Sequence, residues 1–180
     1  MNKRIKVLQL QIKYYIRASD LHEEVIKALP VKYFEVTSAY FKGQPQVNEM
    51  VSVSEHVKYF NFSSRQMKGM RIQAMWNLWK FCRKEKFDII LTNGFKTLNI
   101  LLKLNKVLKV PHCIGIIHGF GDFDRLYRRI DAKFYIDKRW SFVGVSSAVS
   151  HYLSSLGYGF TQNNVHTIND ASISSALLIV

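Results

Sequence analysis

The chain has 180 residues, 48% of them apolar and 22% charged, with three prolines and nine glycines. That length suits one α/β domain, able to bury about 70% of the unfolded chain's surface, and the composition excludes disordered, collagenous and linker-array architectures. Twenty-six Lys and Arg against 13 Asp and Glu leave a net charge of +13, which favours nucleic acid, acidic lipid or phosphorylated sugar as partner without choosing among them.

The start MNKRIKVLQLQIKYY runs from basic residues into a short strand, Ile5 to Leu10, without the h-region or A-x-A site of a signal peptide. A helix follows from Ser19 or Asp20 to Leu29, with Glu23 and Glu24 in its first turn and Pro30 as its stop. Val31 to Phe41 reads as a strand, Gly43-Gln-Pro45 as a turn, and Val47 to Phe62 as short strand pieces. Residues 65 to 86 carry helical periodicity, and Phe87 to Thr92 is a buried strand broken by Asn93-Gly94. Next come a helix through Leu98, Leu101, Leu102, Val107 and Leu108, and a strand from His112 to His118. A basic helix from about Asp122 to Lys138, a strand at Phe142 to Val145, a helix from Ser147 to Leu156 and a last strand at Val165 to Ile168 complete the chain. Alternating β and α segments with uniformly apolar strands predict one domain over 1–180: a Rossmann-like, mostly parallel sheet with helices on both faces.

No apolar run reaches the roughly 18–20 residues that span a bilayer, and Cys82 and Cys113 lack metal or C-x-x-C spacing. These features predict a cytoplasmic protein with two buried thiols, lying at most against the inner face of a membrane.

Ligands of such a sheet sit at the carboxyl ends of the strands, so the strand exits carry the information. The first exit, Leu10 to Ser19, holds no glycine and therefore no G-x-G-x-x-G, and no G-x-x-x-x-G-K-[ST] occurs anywhere; dinucleotide binding and P-loop hydrolysis are excluded. In IGIIHGFGDF, residues 114–123, His118 stands at a strand tip beside Gly119, Phe120 and Gly121, ahead of a helix able to offer its N-terminal amides to an anion or a hydroxyl. In WSFVGVSSAVSHYL, residues 140–153, Ser147 is placed to cap the helix or touch a sugar, and Ala148, Val149, Tyr152 and Leu153 form its inner face.

The segments FVGVSSAVSHYL, Gly157 and NVHTIND, with His118-Gly119, resemble the N-terminal acceptor domain of GT-B glycosyltransferases of family 4, which include bacterial lipopolysaccharide core transferases. The resemblance implies sugar transfer with retention from a nucleotide sugar to a glycan or lipid-linked glycan. No metal-ligand cluster is visible in the sequence, so catalysis without a bound divalent ion or other cofactor is expected. The resemblance assigns His118 to catalysis, and Arg17, Thr92, Asn93, Gly94, Gly119, Phe120 and Ser146 to substrate binding. The family's second domain carries two glutamates spaced E-x7-E and binds the donor. Here the last glutamate is Glu85, so the resemblance implies a chain without the donor domain, inactive alone, with residues 169–180 starting the interdomain linker. Two features depart from the family: the Gly-rich first loop is replaced by Lys13, Tyr14, Tyr15, Arg17 and Ser19, and the linker's Asn-Gly-x-Asp reads Asn169-Asp170-Ala171-Ser172.

Residues 65–86 mix Met67, Met70, Ile72, Met75, Trp76, Leu78, Trp79 and Phe81 with seven Lys or Arg and a single acid. They read either as a sheet-packing helix with a solvated basic face or as an anchor to anionic lipid, with Trp76, Trp79, Arg83 and Lys84 facing the membrane. The rival to a transferase is a non-enzymatic basic module for nucleic acid or anionic membrane. No R-G-F-x-F motif, KH loop or zinc finger supports nucleic acid, so none is expected as a partner.

Overall fold

The computed structural model describes residues 3–14, 21–67 and 71–168. The expectations placed on Arg17, Ser19, Met70 and the 169–180 linker lie outside them. Seven strands, β1 (Ile5–Lys13), β2 (Phe34–Lys42), β3 (His56–Tyr59), β4 (Ile89–Asn93), β5 (His112–Ile117), β6 (Trp140–Gly144) and β7 (Val165–Thr167), form one sheet in the order β3-β2-β1-β4-β5-β6-β7. Every pairing is parallel. The helices are α1 (Leu21–Ala28), α2 (Ile72–Glu85), α3 (Phe95–Leu108), α4 (Leu126–Tyr135) and α5 (Ser147–Leu156).

Neighbouring strand residues point to opposite faces, so the buried side chains divide into two cores. Leu8, Leu10, Ile90, Cys113, Ile117 and Phe142 pack with Leu78, Leu98, Leu101, Ala132 and Leu153 of α2 to α5. Val7, Ile89, Leu91, Ile114 and Val143 pack with Val25 and Ile26 of α1 on the other face. The division follows from right-handed crossovers: β1 to β2 runs one way along the sheet and β3 to β7 the other, which places their helices on opposite faces.

Three expectations change. α2 begins at Ile72 rather than residue 65, because Arg71 at its N-cap takes a left-handed φ of 54° and residues 64–67 form a turn. α4 is shorter than 122–138: Gly121, at φ +86°, turns the chain before it, and Ile136 is extended at its end. Of residues 47–62 only His56–Tyr59 is a strand; much of the remainder is a strap held from beneath by Glu23. Both thiols are buried as expected, and burial pushes that of Cys82 up to about 12.

Candidate functional site

The strand order reverses direction between β1 and β4, and the crevice at their carboxyl ends is where a doubly wound sheet binds ligands. On its wall, β4 ends at Asn93, and Gly94, at φ +75°, turns the chain into α3. Thr97 fixes this corner, its hydroxyl lying 2.6 Å from the Asn93 carbonyl and 2.9 Å from that of Gly94. His118, exposed just past β5, is hydrogen-bonded through Nε2 to Asn93 Oδ1, and Asn93 Nδ2 meets Nε2 of His22 in the first turn of α1. Two residues expected from sequence thus meet one that was not.

The loop after His118 is braced from behind. The Tyr152 hydroxyl donates to Asp124 Oδ1 at 2.7 Å and accepts from the Gly121 amide at 3.2 Å, while the exposed Phe120 ring stands edge-on to Tyr152 at 5.5 Å. The Arg128 guanidinium donates to the Asp122 carbonyl at 2.9 Å and lies 4.2 Å over the Phe95 ring at the start of α3. Burial raises the Asp122 carboxyl above its ordinary value, against the opposing pull of Arg128 and His118. A Cβ on Gly119 would meet nothing within 4 Å, which leaves open space beside His118.

Other expected residues serve differently. Thr92 is buried, donates to the Ile114 carbonyl at 3.3 Å, and lines a small cavity with Gln9, His22 and Asn93. Ser146, not Ser147, caps α5, accepting from the Val149 amide at 3.3 Å; Ser147 is exposed, and the inner face of α5 uses Ser150 where Ala148 was expected. The helix expected directly after Gly121 starts only at Leu126, so its N-terminal amides are displaced from His118.

Two groups at this end of the molecule were not read from sequence. Glu23 is 4% exposed and accepts from the Ser52 hydroxyl at 2.8 Å and the Val53 amide at 2.7 Å, tying α1 to the β2–β3 strap. Tyr14, Tyr40 and Tyr59 cluster at centroid spacings of 5.0 to 5.7 Å, and burial raises all three phenols. Among the described residues no three His, Cys, Asp or Glu side chains gather as metal ligands.

On the α2–α3 side, Trp76 is 52% exposed and stacks on the half-buried Trp79 at 4.9 Å. With Ile72, Met75, Leu104 and Val107 they line a groove of about 380 Å³. Lys80 and Arg83 cover the two indoles at 5.1 and 5.4 Å. No helix among the described residues is long and apolar enough to cross a membrane.

A parallel, doubly wound sheet in this strand order matches the fold of one half of the GT-B architecture. The chain belongs to Glycosyltransferase Family 4, whose profile matches residues 23–170. Its fold is similar to that of UDP-N-acetylglucosamine 2-epimerase from Rickettsia bellii, with a TM-score of 0.68 and 14% identity over 98% of this chain and 48% of that one. It is also similar to sucrose-phosphate synthase from Thermosynechococcus elongatus, at 0.62 and 11% over 92% and 48%, and to the lipopolysaccharide outer core galactosyltransferase WaaB, at 0.61 and 10% over 92% and 45%. The chain therefore spans about half the length of these proteins. No curated protein matches it by sequence.

Proposed function

We propose that this chain is the acceptor-binding half of a retaining glycosyltransferase that moves a sugar from a nucleotide sugar to a lipopolysaccharide core or another glycan. The observation that carries the reading is the exposed His118, held by Asn93 at the switch-point crevice of a family 4 domain. The task of this half is to hold an acceptor hydroxyl in line with the donor's anomeric carbon, converting an encounter into a positioned reaction. His118 hydrogen-bonds the sugar, the Gly119 backbone admits it closely, and the exposed Phe120 ring offers it an apolar face. Nucleotide binding and stabilisation of the leaving phosphate fall to a second domain, so the 180-residue chain alone is inactive and binds nucleotide sugars more weakly than about 1 mM.

The test is a glycan array probed with this chain at low and high salt, paired with calorimetry against UDP-, GDP- and ADP-sugars. Selective, salt-tolerant binding of a glycan supports the reading. Binding to every polyanion that vanishes with salt would replace it with a basic module, and micromolar binding of a nucleotide sugar would overturn the division of labour.

The apolar groove of α2 and α3 under its cationic cover supports a second element of the reading: peripheral attachment to an anionic membrane on the cytoplasmic side, with Trp76 entering the interface and Arg83 and Lys84 meeting head groups.

A further inference from the structure

At the end of the sheet opposite the crevice, a cavity of about 380 Å³ lies where the chain enters β4 and β5. That size falls in the range of about 300–1,000 Å³ of small-molecule sites. Its floor is buried and apolar, made by Cys82, Phe87 and Val110. Its rim is cationic: Lys3, Arg83, Lys86 and Lys109 line it, and Asp88 adds one acid. The frame is fixed. Asn105, 1% exposed, accepts from the Val110 amide at 2.8 Å and donates to the Val110 carbonyl at 3.4 Å, while Asp88 accepts from the Lys6 amide at 2.9 Å.

The charges on this rim differ from those nearby. Arg4 and Lys6 pair with Glu35 and Glu55 at 2.7 to 3.5 Å, and Lys106 and Arg139 with Asp137 at 2.5 to 3.5 Å. Among the described residues no such pair forms at Lys3, Arg83, Lys86 or Lys109. Four cations against Asp88 leave a surplus of three charges, of which the carboxyl ends of α2 and α3 offset roughly one.

Lys86 and Lys109 give a second, independent observation. They cap α2 and α3 in the left-handed region, at φ 57° and 56°, where glycine fits at less cost. The helix dipoles do not require them, because Arg83 and Lys106 already stand in the last turns. Two helices thus end on a strained lysine, and both lysines line one cavity.

We propose that this cavity is a phosphoester-binding site, in which Lys86 and Lys109, with Lys3 and Arg83, hold a phosphomonoester while the apolar floor receives the group attached to it. Such a group brings a charge of about −1.5 to −2 and three acceptor oxygens, which matches the surplus on the rim. The site sits one strand length, roughly 16 Å, from Asn93 and His118 at the carboxyl ends of the same strands, so a bound phosphoester leaves the crevice open.

The test titrates the ¹⁵N-labelled 180-residue chain with glycerol 3-phosphate at constant ionic strength, reading backbone amides by NMR, beside sedimentation with phosphatidic acid vesicles. Saturable shifts centred on Lys86, Phe87, Lys109 and Val110 are expected if the ligand is a free phosphoester, and binding of the vesicles alone if it is a lipid headgroup. In either case Lys86→Gly with Lys109→Gly should weaken binding about tenfold or more, since two charge-assisted contacts are lost. Glycine suits both caps, so the Tm of that variant should equal or exceed the wild type's. Lys58→Gln with Lys133→Gln, removing equal charge from exposed positions outside the cavity, should bind like the wild type. No response to either probe, shifts centred elsewhere, or a glycine variant weakened no more than this control would overturn the proposal. No glycan enters the experiment, so its failure leaves the acceptor-binding reading to its own test.

Discussion

Gly144 and Ser150 lie against each other so closely that a methyl group on Gly144 would sit 2.7 Å from the Ser150 backbone nitrogen and 3.1 Å from its Cα. The contact seats α5 on the end of β6, and the Ser150 hydroxyl continues it by donating to the His166 carbonyl of β7 at 3.0 Å. Because backbone opposes the added carbon, Gly144→Ala should force α5 off the sheet at a cost of about 2 kcal/mol. Scanning calorimetry should show a melting temperature lower by about 4–8 °C, and an unchanged Tm would mean that α5 is free to slide.

Glu23→Ala should loosen the β2–β3 strap, since the Val53 amide loses its acceptor and the Ser52 hydroxyl is left with only Ser38 and Ser54. Losing two hydrogen bonds to a buried acidic side chain costs about 2 kcal/mol. Urea denaturation should record that loss, and hydrogen exchange should show the Val53 amide opening far faster than in the wild type.

Asp137 carries the clearest pH signature. Hydrogen bonds from the Arg139 guanidinium, at 2.5 and 3.0 Å, hold its carboxyl down to about 2, assisted by Lys106 at 3.5 Å. A carboxylate with a depressed folded-state pKa stabilises fully above its unfolded value and loses that contribution as pH falls through the folded one. Asp137→Asn should therefore cost about 1 kcal/mol at neutral pH, allowing for partial exposure. Urea melts of the two proteins should converge between about pH 4 and pH 2; a gap that persists at the acid end would assign the effect to packing.

Trp76 is exposed enough to be replaced without touching the core, whereas Trp79 packs partly against it. Trp76→Ala combined with Arg83→Glu and Lys84→Glu should reduce sedimentation with phosphatidylglycerol vesicles several-fold at unchanged Tm, and salt should reduce wild-type binding in the same direction. Equal binding by variant and wild type would leave the groove without a lipid role.

His118→Ala should weaken binding of whichever glycan the array selects by about tenfold, equivalent to about 1.4 kcal/mol, with Tm nearly unchanged because the ring is exposed. Unaltered affinity would remove His118 from the acceptor site.

Sequence period and punctuation were enough to place the main strands and helices in order, because the central strands are apolar on both faces and several connections are marked by Gly, Pro or Asn. A boundary failed where a non-glycine residue adopts a left-handed turn, as Arg71 does before α2. His118 and Asn93 were legible because strand ends are predictable from strands. His22 was not, since its meeting with Asn93 joins residues 71 apart in the chain; the available signal was that the first turn of the helix after β1 must face the crevice. Glu23 looked like an ordinary first-turn acid for the helix dipole, and only the folded strap reveals it as buried.

The pairing of β1 with β4 has a kinetic side. The Lys6 amide reaches Asp88 Oδ2 across 82 residues, whereas β5 and β6 pair over much shorter stretches of chain. Ordering a long intervening segment costs entropy before any contact repays it. The crevice is therefore walled by the most distant partners along the polypeptide, and the two ends of the sheet have local reasons to form first. A newly made chain would complete the rim of this crevice late, so slowed β1–β4 docking would delay its closure while most of the helix content is already in place.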